Sequence, residues 1–260
     1  MKGARLKIIS LNIQHGWNVR QPVLPLPLSR EKVLENLDKI AHLLIKNAPD
    51  VVLLQEVDRV SPLTKRIDQL QYIARRAGYL YHAHGASSEF RVAGKVVYAA
   101  GCGIISRFPI LKTEHVRFDP CFPTPRKGFL VATLGLGPGL ELTVASTHLV
   151  PFNLLNTRAK SAQIDKMAEA LAGRRPIIVG GDFNSGVRGN GHMHIHTLAR
   201  RLDLVTHENA HERRLRTYPA RRPRRKIDWI FTSRDIRITD YRILRDRVSD
   251  HLAVRTTVSL

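Results

Sequence analysis

The feature that most constrains this chain is a series of short apolar runs, each bounded by turn residues and stopping at a polar side chain. They are Leu6–Leu11, Val51–Leu54, Val96–Ala100, Gly103–Ile105, Phe129–Leu134, Leu140–Ala145, Ile177–Val179, Ile227–Phe231 and Ala253–Val258. Runs of this length and make-up read as buried strands. Between them lie amphipathic helical patterns. Arg30–Lys46 places Val33, Leu34, Leu37, Ile40, Ala41 and Leu44 at three- and four-residue spacings behind Ser29 as N-cap. Thr64–Ala77 predicts a second helix closed by Gly78, and Asn156–Ala172 a third closed by Gly173. Thr197–Leu202 is a shorter fourth. Strands outnumber helices, and short turns such as Gly135–Gly139 join neighbours. The pattern predicts an α/β sandwich mixing antiparallel meanders with crossover helices. The Pro-containing stretches Gln21–Leu28 and Asp119–Pro125 read as surface loops, so 1–260 is expected to form a single domain.

What closes the runs is informative. Asn12 follows the first, Glu56 the second, His148 follows Thr143–Thr147, and Asp182 and Asn184 follow Ile177–Gly181. Asp228 opens Trp229-Ile230-Phe231, and Asp250-His251 precede the last strand. Strand ends carrying this many ionisable and amide groups are expected to converge on one polar cleft, where ligand sites of open α/β sheets gather. The set is chemically coherent. Oxygen ligands from Glu56, Asp250 and Asn12 suit a hard divalent ion, Mg²⁺ or Mn²⁺. Histidines can carry protons for a phosphoryl group, with Asp228 orienting one of them. Asp182 could position or deprotonate water, and Asn184 could donate to a developing oxyanion. Two cysteines, Cys102 and Cys121, make neither a disulfide scaffold nor a zinc site, and a reducing cytoplasm is the expectation.

At this point the chain resembles the endonuclease/exonuclease/phosphatase superfamily, the DNase I-like metal-dependent phosphoesterases. The resemblance is carried by Ser10-Leu11-Asn12, Leu54-Gln55-Glu56-Val57-Asp58, Ser106-Arg107-Phe108-Pro109, Thr147-His148-Leu149, Gly181-Asp182-Phe183-Asn184-Ser185, Ile227-Asp228-Trp229-Ile230-Phe231 and Ser249-Asp250-His251. It implies a four-layer sandwich of two packed mixed sheets with helices outside. It also implies roles: Asn12, Glu56 and Asp250 holding the metal, and His251 paired with Asp228 at the scissile phosphate. Asp182 would orient the attacking water, Asn184 stabilise the transition state, and His148 bind phosphate or act as general acid. Two positions depart from the family pattern. Gln14 is neutral where some family nucleases carry a second acidic metal contact. Lys127-Gly128, preceded by Arg126, stands where, in a branch of sphingomyelinase-like members, an Arg-Gly often opens the strand before the catalytic-His strand. A lysine there keeps the charge but not the bidentate geometry.

Charge bears on the substrate. With 42 Lys+Arg against 22 Asp+Glu, the formal net charge is +20, which suggests a polyanionic partner or simply a solvated basic coat. Arg213-Arg214-Leu215-Arg216 and Arg221-Arg222-Pro223-Arg224-Arg225-Lys226 are dense basic clusters in a stretch whose aromatic is Tyr218, so phosphate contact is expected rather than a base-stacking single-strand platform. The expectation is therefore a phosphodiesterase acting on nucleic acid. Alternatives are a sphingomyelinase-like phospholipid phosphodiesterase, a small-molecule phosphatase, or an inactive nucleic-acid-binding module. Contact with an anionic membrane would be peripheral, because no run is long enough to span one. The charged N-terminal residues argue against a signal peptide, and a monomer is expected. Arg126 and Lys127 are candidate substrate contacts; Arg158, one turn into the third helix, either reaches the cleft or braces helix packing. His192, His194 and His196 would share one side of an extended segment and could capture a transition metal, against the alternative of a polar loop. Asp58 and Arg59 read as a structural ion pair, Cys102 as a core residue, and Trp17 as a substrate contact or loop anchor.

Overall fold

The structure is a computed structural model that describes residues 5–17, 28–151, 157–186, 189–207 and 213–260. Its elements, in order, are β1 (Arg5–Asn12), α1 (Arg30–Asn47), β2 (Val51–Val60), α2 (Gln69–Arg76), β3 (Tyr81–Val92), β4 (Lys95–Ser106), β5 (Ile110–Arg117) and β6 (Gly128–Gly137). There follow β7 (Leu140–His148), α3 (Thr157–Leu171), β8 (Ile177–Asp182), α4 (Gly189–Arg201), β9 (Leu204–Val205), β10 (Asp228–Ser233), β11 (Arg237–Ile243) and β12 (Val254–Ser259). Two six-stranded mixed sheets run β11-β12-β1-β2-β4-β3 and β5-β6-β7-β8-β10-β9.

The apolar runs are continuous because the inner strands are buried on both faces. Ile8, Leu53, Ile104, Val144, Ile178, Ile230 and Val254 meet between the sheets. Their neighbours Ile9, Val52, Leu54 and Ile105 face outward onto Val33, Leu37, Ile40 and Leu44 of α1 and Ile73 of α2. On the other sheet, Val131, Ala145, Val179 and Phe231 pack against Ile164, Met167 and Leu171 of α3 and Leu198 of α4. The result is the expected α/β sandwich of four layers.

The structure adds four strands that the apolar runs do not reveal: β3, β5, β9 and β11. They are the four sheet edges, where one side meets solvent and charged residues suit an unpaired backbone. Val96–Ala100 and Gly103–Ile105 are one strand, β4. Gly101 keeps it continuous, since a Cβ there would lie 1.9 Å from the Gly85 carbonyl oxygen of β3. The second helix starts later than its spacing suggests. Pro62–Thr64 forms a separate 3₁₀ turn, and Asp68 caps α2 by accepting from the Gln71 amide at 3.0 Å. The fourth helix is longer than expected and overturns the extended reading of His192, His194 and His196. On α4, alternate residues point about 200° apart rather than to one side. His194 is buried beside Ser161 of α3 (3.3 Å), while His196 is exposed. Asp119–Pro125 is a surface loop, with Phe122 exposed at its tip. Gln21–Leu28 lies, apart from Leu28, outside the described residues.

One buried group has a direct stability consequence. Lys226 leads into β10 with its amine 3.7 Å from the Trp229 ring centre and 5.2 Å from that of Tyr241. The amine is enclosed without a hydrogen-bond acceptor, and burial pulls its pKa down to about 7 from the usual 10.5. Between those values the unfolded chain holds the proton more tightly. The position therefore costs most at and below pH 7, and the cost fades as pH rises towards 10.5. Lys226→Met is expected to raise unfolding free energy at pH 7 by roughly 1–3 kcal/mol, the range for burying an unpaired polar group. The gain should shrink by pH 9.5 in urea melts. Lower stability of the variant at both pH values would mean that the Trp229 contact outweighs desolvation.

Candidate active site

Strand register brings the polar strand ends to one edge of the sandwich. β1 and β2 run parallel with Asn12 opposite Gln55, and β7 and β8 run parallel with His148 opposite Asp182. Asp228 faces Asp182 across the β8–β10 pair, and Gly128, which opens β6, faces His148. The two sheets are tied together directly beneath the cleft. Gln55 Nε2 donates to Ser146 Oγ (3.1 Å), and that hydroxyl donates to the Leu54 carbonyl (2.9 Å). At the rim, Asn12 Nδ2 donates to Asp182 Oδ2 (3.1 Å), again from one sheet to the other.

Local backbone departures aim the key side chains. Glu56 has φ of 54° in a bulge where β2 passes from Leu54 to Val57 against β4, and bulges of this kind redirect side chains beside active sites. Asn184 also has positive φ, 47°, held in place by Lys160 of α3, whose buried amine donates to the Asn184 carbonyl at 2.6 Å. Gly181 permits the turn into Asp182: its φ is 155°, and a Cβ would sit 1.9 Å from the Thr147 carbonyl oxygen.

One half of the cleft is an acid–histidine–acid cluster. His251 Nδ1 donates to Asp228 Oδ2 at 2.9 Å, while its Nε2 lies 3.7 Å from Asp182 Oδ2. The Tyr218 ring packs on the imidazole at 4.8 Å. Burial alone would strip the proton from His251, but Asp228, Asp182 and Asp250 outweigh it and raise its pKa to about 10. The ring is an imidazolium at neutral pH. Asp182 is raised well above the usual carboxylate range by burial and the Asp228 charge, against the pull of His251. Such a carboxylate can exchange a proton near neutrality. Its Oδ1 accepts from the Asn184 amide (2.8 Å).

The other half surrounds Glu56. Its carboxylate is 22% exposed and faces three nitrogens: Lys127 Nζ at 3.7 Å, His15 Nε2 at 3.6 Å and His148 Nε2 at 3.8 Å. Burial pushes its pKa up, yet the charges of Lys127, His15 and His251 hold it well below the carboxylate range, so it stays charged. His148 goes the other way. Burial and the neighbouring Lys127 depress its pKa far below 6.5, so the ring is neutral. Asn184 Nδ2 stands 3.2 Å from His148 Nε2 and donates to the Leu149 carbonyl (3.0 Å).

The structure thus brings together Asn12, Glu56, Lys127, His148, Asp182, Asn184, Asp228, Asp250 and His251. It leaves Arg126 bracing a loop, with Nε donating to the Phe118 carbonyl (2.6 Å). Arg158 stands exposed on α3 and joins none of these contacts. Asp58 pairs not with Arg59 but with His15 Nδ1 (2.7 Å) and the Thr64 hydroxyl (2.8 Å). His15 was not singled out by the sequence, because its partners lie more than forty residues away. The available signal was its place in the turn directly after Asn12. That turn is fixed by Gln69 Nε2 donating to the His15 carbonyl (2.7 Å) and Asn36 Nδ2 to the Gly16 carbonyl (3.1 Å). Trp17 packs on His15 with ring centres 5.8 Å apart.

The donor set fits a hard divalent cation. Glu56, Asp250 and the amide oxygen of Asn12 are oxygen ligands, and Asp250 is raised by burial and by the nearby Glu56 charge, a like-charge pair that a cation would relieve. The Oε1 of Gln14 is also enclosed with no donor. A second group, Asp182, Asp228 and His251, has its ligand atoms within 4.8 Å of one another. There, however, the imidazolium already supplies the counter-charge and its Nδ1–H points at Asp228.

Comparison with known proteins gives the lineage. The model of the Endonuclease/Exonuclease/phosphatase family matches residues 9–251, from β1 through His251. The chain belongs to this family. Among solved structures, family members share its fold at low identity. An endonuclease/exonuclease/phosphatase from Beutenbergia cavernae is 21% identical with a TM-score of 0.76, covering 98% of this chain and 72% of that one. The human Nocturnin catalytic domain with bound sulfate anion is 20% identical with a TM-score of 0.71, over 98% and 93% of the two chains. Sphingomyelinase C from Streptomyces griseocarneus is 17% identical with a TM-score of 0.67, over 98% and 99%. A search of curated protein sequences finds no match. The family and its fold are those of phosphoester hydrolases.

Proposed function

We propose that this family member is a divalent-metal-dependent phosphodiesterase acting on nucleic acid by in-line attack of water. The observation that carries the reading is the Asp228–His251–Asp182 cluster set beside an ionised Glu56 at the strand ends. Glu56, Asp250 and Asn12 would hold Mg²⁺ or Mn²⁺, which when bound supplies Lewis-acid stabilisation of phosphoryl charge. Asp182, held by the Asn184 amide and Asn12, accepts a proton from water as its oxygen bonds to phosphorus; the opposite P–O bond breaks, and the leaving oxygen takes a proton from solvent. The His251 imidazolium, fixed by Asp228, hydrogen-bonds a non-bridging phosphoryl oxygen. Lys127 adds a positive charge on the side of neutral His148, and neutral His148 can share a hydrogen bond with phosphate.

The nucleic-acid preference is supported by where the basic loop sits. Arg221, Arg222, Arg224 and Arg225 are exposed on a turn pinned to the site, since the Ala220 amide donates to the Asp250 carbonyl (2.6 Å). A second reading, a phospholipid phosphodiesterase, is favoured by exposed Phe90 and Val92 near the end of the β3–β4 hairpin, beside Arg91 and Lys95. Among the described residues no helix is long and apolar enough to cross a membrane, so any lipid contact is peripheral. A substrate panel separates the two. With Mg²⁺ or Mn²⁺, single-stranded DNA or RNA is expected to be cleaved with a kcat/KM at least ~10²-fold above that for sphingomyelin or phosphatidylcholine vesicles, a gap of roughly 3 kcal/mol in transition-state binding. The reverse ranking would assign the protein to phospholipid.

A further inference from the structure

We propose that Lys160 is a positioning residue: its amine, reaching across from α3, fixes the direction in which Asn184 presents its side chain to the cleft. The inference rests on the phosphodiesterase reading above. Lys160 lies one turn into α3 and is fully buried. Its Nζ donates to the Asn184 carbonyl at 2.6 Å, which joins the helix to the turn that follows β8. Enclosing an amine is costly. Burial pulls its pKa down to about 8, against the charge of Asp182, which pulls it up. An apolar chain of the same length would fill this space without that cost, so the amine is explained by what it holds.

What it holds is strained and central to the site. Asn184 has φ of 47°, and a residue in the left-handed region keeps that conformation only where its surroundings over-determine it. Three hydrogen bonds do so here. Lys160 binds its carbonyl, its own backbone amide donates to Asp182 Oδ1 (2.8 Å), and its Nδ2 donates to the Leu149 carbonyl (3.0 Å). The same Nδ2 stands 3.2 Å from His148 Nε2. Asn184 is thus the piece through which Asp182 and His148 keep their relative positions. Of the three bonds, the one from Lys160 alone comes from outside the two strand-end turns.

The inward face of α3 addresses both turns. Gln163, three residues on from Lys160 and therefore on the same face, is also buried, and its Oε1 accepts from the Val150 amide (3.0 Å). The helix holds the turn after β7 through Gln163 and the turn after β8 through Lys160, and the bond from Asn184 Nδ2 to the Leu149 carbonyl spans the two. Removing the amine releases one turn and leaves the other fixed. The Asn184 side chain then moves relative to His148 while the strands beneath stay in place. Displacements of this kind are costly to a preorganised site.

The test uses the full chain with Mg²⁺ or Mn²⁺ and bis(p-nitrophenyl) phosphate, and compares Lys160→Met, Asn184→Gly and the double variant. Methionine keeps an unbranched buried chain without the donor, and glycine keeps the left-handed backbone without the side chain. Lys160→Met is expected to lower kcat about 10–10²-fold with KM within about twofold, the pattern of misplacement without lost ground-state binding. In the Asn184→Gly background, with no side chain left to aim, the same substitution should cost less than about threefold, because residues that act as a unit are not additive. An equal loss in both backgrounds would overturn the proposal, as would an unchanged kcat or a rise confined to KM in Lys160→Met. Amide hydrogen exchange reads the contact without turnover. The Asn184 backbone amide should exchange about tenfold faster or more in Lys160→Met, while the amides of β8 keep their protection. Unchanged exchange at Asn184 would mean that Lys160 does not hold the turn. Should the wild type hydrolyse nothing, the phosphodiesterase reading fails, and exchange still decides the role of Lys160. If circular dichroism shows Lys160→Met unfolded, Lys160→Gln takes its place in both measurements.

Discussion

His251→Ala is expected to lower kcat by about 10³–10⁴-fold on any phosphodiester the enzyme turns over. That is the upper part of the range for a positioned acid–base group, because this ring is a fixed imidazolium that both contacts phosphate and carries a proton. Asp228→Asn should cost less, about 10–10²-fold within the same framework, since the imidazole stays in place and loses its hydrogen-bonded carboxylate at 2.9 Å. The pH profile separates the roles. Asp228 is the largest influence raising the His251 pKa to about 10. Removing its charge lowers that pKa, so the alkaline limb of activity should move to lower pH in Asp228→Asn. An Asp228→Asn profile superimposable on wild type would refute the pairing. Removing His251 also leaves two buried carboxylates without their counter-charge. Circular dichroism and the His251→Gln variant therefore accompany the measurement, and the loss should persist in whichever variant folds.

Glu56→Gln carries the second large effect. Glu56 is held ionised by the nitrogens around it, and it sits on a bulge outside the apolar core. The amide should leave the fold intact while cutting turnover by orders of magnitude. Mg²⁺ affinity, read by titration calorimetry, should weaken by more than the ~10–100-fold typical of losing an outer partner of a ligand. High Mn²⁺ should restore part of the activity. Undiminished activity with unchanged metal affinity would remove Glu56 from the metal site.

The inner layers of this fold were legible because their strands are buried twice over. Ile8 faces the other sheet and Ile9 faces α1, so the run shows no polar gap until the chain leaves the core at Asn12. The same property exposed the site, since Asp182 and Asp228 interrupt apolar sequence where nothing in the core would keep them. The edges were illegible for the converse reason. β5 and β11 mix charged, polar and apolar residues with no sustained apolar run or regular alternation, and their strand character comes from pairing with β6 and β12. His15 and Tyr218 illustrate the limit within the site. Each reaches its partner through tertiary packing, His15 onto Asp58 and Tyr218 onto His251, and neither spacing nor composition marks them. The histidines of α4 show the opposite error: alternation suggests an extended segment only if the backbone is extended, and there it is helical.

The central claim is that these strand ends form a metal-assisted phosphodiesterase centre. The most direct measurement is hydrolysis of bis(p-nitrophenyl) phosphate by the full chain with Mg²⁺ or Mn²⁺, with excess EDTA, and with metal restored. The expected result is steady release of p-nitrophenol that EDTA abolishes and metal restores, and that Asp182→Asn lowers by about 10²-fold or more as the loss of a general base requires. Release that is unaffected by EDTA, or retained in full by Asp182→Asn, would contradict the account.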